Sequence, residues 1–147
     1  MKKKILLING PNINLVGIRE KEKYGEKSIE EINKNLKKIS KKSKIHFLHF
    51  QSNSECAIIE KIHRSINAID FILINPASFT HTSIAIRDAL LAVKIPFFEI
   101  HFSNIHKYEK FRRFSFFSDI AVGTISGFGE IGYYFAFEAA KYFLLKK

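Results

Sequence analysis

A chain of 147 residues, 46% hydrophobic and 26% charged, fits one globular domain with a full core and leaves little room for a second. Its single cysteine, Cys56, excludes an internal disulfide and cannot build a thiolate metal site alone, so a cytoplasmic location is the default expectation. The formal charge of +10 rests on lysine far more than on arginine, the preferred reader of bases and phosphates, which argues against nucleic-acid binding as the main role.

Met1 to Lys4 looks like the basic end of a signal peptide, but the apolar run at residues 5–8 is too short for one and Asn9-Gly10-Pro11 follows at once. No segment is long enough to span a membrane. Residues 5–8 read as a strand. Ser28 and Glu31 have the S-x-x-E form of a capping box and open a helix whose apolar positions Ile29, Ile32, Leu36 and Ile39 follow helical spacing, with the lysines of residues 34–44 on its exposed face. Residues 45–50 read as a second strand, and 57–66 as a helix with Ile58, Ile59, Ile62 and Ile66 on its core face. Residues 71–74 are a third strand, 83–93 a helix, 95–100 a fourth strand, 120–125 a fifth, and 129–145 a closing helix. Such alternation predicts an α/β domain spanning the whole chain, a five-stranded parallel sheet with helices on both faces, in flavodoxin-like order.

Two segments break the rhythm. Residues 9–27 are too long and polar for an ordinary strand-to-helix connection and read as a lid, with Gly10, Gly17 and Gly25 as hinges and Asn12, Asn14, Arg19, Glu20 and Tyr24 as its chemistry. Residues 111–117 set aromatics around Arg112 and Arg113. Eleven of the 15 phenylalanines lie from Phe97 onward, a surplus that predicts a subunit contact.

Polar groups that follow apolar strands gather at the sheet edge where open α/β folds place ligands. Glu99 and His101, two apart in a strand, leave on one face, where the carboxylate orients the imidazole and stabilises its protonated form, a general-acid arrangement. A guanidinium at Arg19 near the Tyr24 phenol would favour the phenolate and make a base. Asn75 and His81 are placed at the pocket mouth, Asp88 two helical turns on from His81, and Arg112 as a planar fork for a carboxylate. No nucleotide loop and no Cys/His ligand cluster appears, so neither a metal nor a cofactor is implied; Gly127-Phe128-Gly129-Glu130-Ile131-Gly132 comes late and reads as a strand-to-helix turn.

The stretches NGPNINLVGIRE with Tyr24-Gly25, QSN at residues 51–53, NPASFTHTSIAIRDAL, EIHFSNIH and FRRFSFFSDIAVGTISGFG, taken together in this order and spacing, resemble the type II 3-dehydroquinate dehydratases. The resemblance implies a flavodoxin-like subunit, trimers assembled into a homododecamer, and trans-dehydration of 3-dehydroquinate to 3-dehydroshikimate in the shikimate pathway without a cofactor. By motif, Tyr24 is the base that removes a proton beside the ketone, Arg19 lowers its pKa, Asn12 helps hold a water on the enolate, and His101, oriented by Glu99, protonates the departing hydroxyl. Asn75, His81, Phe102, Ser103 and Arg112 would hold the substrate's hydroxyls and carboxylate, and Asp88 would reach a neighbouring subunit's site. Lys21, Ser54, Cys56 and Tyr108 depart from residues common in the family at those positions, and none of them is an expected catalytic group. The other readings of the pattern are a flavodoxin-like module holding FMN or a phosphorylated ligand, and a basic RNA-binding protein.

Overall fold

The computed structural model describes every residue except Arg19, Lys21, Lys23, Tyr24 and Lys147. The expected base Tyr24 and its partner Arg19 therefore lie outside the described residues. Strands β1 (Lys3–Asn9), β2 (Ile45–Gln51), β3 (Phe71–Asn75), β4 (Phe97–His101) and β5 (Gly123–Ser126) pair in parallel in the order β2-β1-β3-β4-β5. This is the flavodoxin-like order, as expected.

Alternation along the strands sorts the core into two layers. Ile5, Leu7, Phe71, Leu73, Phe98 and Ile100 face one side, where they meet α1 (Ile29–Lys41) and α4 (Ile131–Leu145). Leu6, Ile8, Ile72, Ile74 and Phe97 face the other, covered by α2 (Glu55–Arg64), α3 (Ile84–Val93) and Phe117. β3, Phe-Ile-Leu-Ile-Asn, is buried along its whole length. Each of its four apolar side chains contributes roughly 1.5–3 kcal/mol on leaving water.

Serines start three of the helices. Ser28 accepts from the Glu31 N–H at 3.2 Å, Ser54 from Ala57 at 3.2 Å and Ser83 from Ile86 at 2.9 Å, each satisfying a backbone donor that the first turn leaves free. α1 buries Ile29, Ile32 and Leu36 and exposes Lys34, Lys37, Lys38 and Lys41, as its spacing predicts.

Two boundaries differ from the sequence reading. α2 stops at Arg64, where the Ser65 hydroxyl turns back onto the Lys61 carbonyl (2.9 Å) and Asn67 takes φ 60°, so Ile66 is exposed rather than on the core face. The fifth strand begins at Gly123. Residues 117–121 close a turn in which Ile120 and Ala121 donate to the Phe117 carbonyl, and pairing along β4 resumes only with Val122 donating to Phe97 at 2.9 Å.

The segment expected as a lid is anchored over its first part. Ile13 and Val16 are buried in the α1/α4 layer, and Gly10 donates to the Asn75 carbonyl at 2.8 Å. At Gly17 (φ 90°) a Cβ would sit 3.0 Å from the Glu26 carbonyl and the Ser28 nitrogen, so the chain closes on itself there.

Candidate active site

Every strand ends on a polar residue: Asn9 pairs with Gln51 and with Asn75, and His101 pairs with Ser126, while the pairing of Ile74 with Glu99 carries His101 one residue beyond the level of Asn75. Three of these side chains, Gln51, Asn75 and Ser126, tie down chain that leaves the strand ends. The Gln51 amide donates to the Gly10 carbonyl (3.1 Å) and to Asn53 (3.2 Å), and Asn53 accepts the Asn12 N–H at 3.0 Å, which holds Asn12 in the left-handed region at φ 67°. Ser126 donates to the Ser103 carbonyl at 3.0 Å, and Gly129 to the Phe102 carbonyl at 2.9 Å.

Between these loops lies a cavity of about 300 Å³. Asn12, Asn75, His81, His101, Phe102, Ser103 and Arg112, all expected site residues, border it together with Tyr108 and Ser78. Glu99 stands behind His101. Asp88 does not join them; it is exposed on α3 and is not among the described residues that border the cavity.

The carboxylate–imidazole pair is built on β4. Glu99 is fully buried, and its Oε2 accepts from His101 Nε2 at 2.5 Å, leaving Nδ1 as the ring's second nitrogen. Ser115 donates to the same oxygen at 2.8 Å and Ser118 to Oε1 at 2.5 Å. Burial pushes the Glu99 carboxyl up, but the hydrogen bond and charge of His101 and the two hydroxyls outweigh it and hold the group below the ordinary glutamate value.

A second polar cluster supports the other wall, on the opposite face of the sheet. Tyr133 of α4 donates to Asn9 Oδ1 at 2.7 Å and accepts from Asn75 Nδ2 at 2.9 Å, while Asn75 Oδ1 accepts the Ala77 N–H at 3.1 Å. One amide hydrogen of Asn75 stays available for a ligand. Burial holds the Tyr133 hydroxyl protonated well above the usual phenol range, so it works as a neutral strut.

His81 presents its ring in one tautomer, because Nδ1 donates to the Phe114 carbonyl at 2.7 Å. Arg112, exposed at the mouth, keeps Nε 3.4 Å from Glu109, which leaves its terminal fork for a carboxylate.

A carboxylate-backed imidazole, an amide anchor and a guanidinium therefore border one small cavity at the strand ends. The family model described as "Dehydroquinase class II" matches residues 3–141. The chain belongs to the class II dehydroquinase family. It is 59% identical over its full length to the 3-dehydroquinate dehydratase of Buchnera aphidicola subsp. Cinara cedri, covering 99% of that protein. It is 57% identical to that of Mannheimia succiniciproducens over 98% of this chain and 96% of the relative. The crystal structure of the type II dehydroquinase from Butyrivibrio crossotus superposes with a TM-score of 0.91 at 43% identity, covering 94% of this chain and 97% of that one.

For a class II dehydroquinase, the motif reading named seven of the residues that border the cavity and Glu99 behind His101, and passed over Ser78 on the cavity wall and other groups that hold the site. Asn9, Tyr133, Ser115 and Ser118 were not singled out, and Gln51 and Asn53 entered only as part of a motif. The polar residue closing each apolar strand was the available signal for Asn9. Among the described residues, no cluster of His, Cys, Asp or Glu is arranged to hold a metal ion, and no helix is long and apolar enough to cross a membrane.

Proposed function

We propose that the cavity at the carboxyl ends of β1, β3 and β4 is where this chain dehydrates 3-dehydroquinate to 3-dehydroshikimate, the hydro-lyase reaction (EC 4.2.1.10) of its family and a step of aromatic amino-acid biosynthesis. The observation that carries the assignment is the Glu99–His101 pair bordering a ligand-sized cavity beside Asn12, Asn75 and Arg112.

Tyr24, its pKa lowered by Arg19, takes the proton from the carbon beside the ketone. The electron pair moves onto the ketone oxygen, where Asn12 and a water it holds stabilise the enolate. His101 then gives its proton to the hydroxyl as the carbon–oxygen bond breaks; the enolate collapses to the conjugated enone and one water leaves. Asn75, His81, Phe102 and Ser103 hold the hydroxyls, and Arg112 holds the carboxylate. No metal or cofactor takes part.

The active form is a trimer-based oligomer, a dodecamer, working in the cytoplasm. Phe111, Phe114, Phe128, Phe135 and Phe143 all stand exposed in the single chain, which supports the interface reading and gives Asp88 a neighbour's site to reach. Light scattering should report a multiple of three subunits; a fully active monomer overturns this part.

The reaction is tested by ultraviolet absorbance of the conjugated product, in the presence of a chelator. Tyr24→Phe should lose activity on the order of a hundredfold or more and lose exchange of the substrate's acidic hydrogen with solvent; His101→Ala should lose dehydration to a similar extent but keep exchange. Folded Tyr24→Phe protein with normal turnover ends the base assignment.

A further inference from the structure

We propose that Ser115 and Ser118 are positioning residues for the acid: their hydroxyls hold the Glu99 carboxylate in the orientation that aims the His101 imidazole at the cavity. The inference rests on the acid role given above to His101.

Glu99 has no access to water, and a carboxylate in that position keeps its charge and direction only if protein donors replace the lost hydration. Three do so. His101 and Ser115 share Oε2, and Ser118 takes Oε1, so the carboxylate is fixed from two sides and cannot rotate away from the ring. The direction of the Ser115 proton is settled by its other bonds. Its oxygen accepts the Phe117 N–H at 3.0 Å and the Ser118 N–H at 3.2 Å, which occupies both acceptor positions and leaves its proton for Glu99.

The serines sit on a strap, residues 112–119, that is pinned elsewhere as well. The Phe114 carbonyl takes the proton of His81, Phe116 donates to the Thr80 carbonyl at 3.0 Å, and Arg87 on α3 reaches the Phe116 carbonyl at 2.8 Å and pairs with Asp119. The same strap thus carries Arg112 at the cavity mouth and the two hydroxyls beneath the acid. Arg87, Arg113, His106 and Asp119 border the second cavity, of about 660 Å³, that Glu99 and His101 also line; Arg113 Nε donates to the Tyr108 carbonyl at 2.6 Å. The hydroxyls are the strap's contacts with the carboxylate itself.

Ser118 is exposed apart from this bond, which makes Ser118→Ala the safer variant, with Ser118→Thr as the version that keeps a hydroxyl. In steady-state assays with 3-dehydroquinate, Ser118→Ala should lower kcat roughly tenfold with little change in KM, as for loss of a hydrogen bond to a charged group. The acidic limb of its kcat profile should move up by about one pH unit, because Glu99 then protonates more readily. Solvent exchange of the substrate's acidic hydrogen should persist, and Ser118→Thr should restore both rate and limb. Ser115→Ala, compared with Ser115→Thr, should show the same pattern with an added loss in Tm, since it also removes an acceptor from two backbone donors.

A serine that merely ties the strap down would change Tm and leave the limb in place. The proposal is overturned if the folded double alanine variant keeps kcat within twofold and the limb unmoved while His101→Ala is inactive. If His101→Ala itself turns over normally, the acid assignment fails first and takes the serines' role with it.

Discussion

The two buried polar networks of this protein sit on opposite faces of one sheet and are built for different work. Under β1 and β3, Asn9, Tyr133 and Asn75 form a chain of neutral groups, and burial keeps the phenol protonated. Under β4, Glu99 is surrounded by donors that favour its charged form. The first network can fix an amide in place without exchanging a proton; the second supports the ring that the proposed reaction uses as its acid. The neutral cluster and the charged one therefore lie on opposite faces of the sheet, Asn9 and Asn75 on the α1/α4 side and Glu99 on the α2/α3 side.

Removing the charge from the β4 network should have the largest effect. Glu99→Gln keeps shape and an acceptor for His101 but loses the anion that stabilises the imidazolium, so turnover should fall by about a hundredfold with KM nearly unchanged, measured at the pH optimum of the parent. Near-parental turnover in folded Glu99→Gln would show that the ring needs an orienting acceptor but no charge, and the contrast between the two walls would disappear.

Breaking the neutral wall should cost less and in a different parameter. Tyr133→Phe leaves Asn9 and Asn75 each short of a buried partner, a loss of about 1–3 kcal/mol in stability by denaturant titration. Because Asn75 then loses its strut, KM should rise several-fold, while the acidic limb of kcat stays where it is. A shift of that limb in Tyr133→Phe would mean the networks are coupled through the sheet.

How much of this was legible in the sequence depends on distance along the chain. Strands, helices and the parallel sheet followed from local periodicity and from the alternation of β and α elements, which are written in neighbouring residues, while the order β2-β1-β3-β4-β5 was a choice among the orders that such alternation permits. The Glu99–His101 pair was legible for the same reason: two residues apart in a strand is a geometric statement. Ser115 and Ser118 lie 16 and 19 residues from Glu99, and Tyr133 lies 124 residues from Asn9, so their bonds exist only after the sheet is assembled. The start of β5 shifted for a related reason. Ile120 and Ala121 look like strand residues, yet Arg87 on α3 holds Asp119, and the turn it stabilises uses them to cover the α2/α3 layer instead. Asp88 marks the limit on the other side, since its exposure on α3 is all that one chain displays and the role proposed for it needs a second.

The smallest effect, and the one that reads the comparison most directly, is the dependence of stability on pH. Glu99 is held below its unfolded value, so its contribution is fully present above about pH 4.3, the ordinary glutamate pKa, and is lost as pH falls through the lower folded value. Tyr133 is held above its unfolded value, so its contribution is fully present below about pH 10 and is lost as pH rises toward the folded one. The stability gap between the parent and Glu99→Gln should thus narrow on acidification alone. The gap between the parent and Tyr133→Phe should narrow only in alkali, where the unfolded phenol ionises and the native one does not. Urea titrations of the three proteins between about pH 3 and 11 measure both gaps, and subtracting each variant from the parent removes the common titration of the lysines and the other tyrosines. Gaps that stay constant across the range would show that neither group changes its proton affinity on folding, and the distinction between a charged wall and a neutral one would then have no thermodynamic basis.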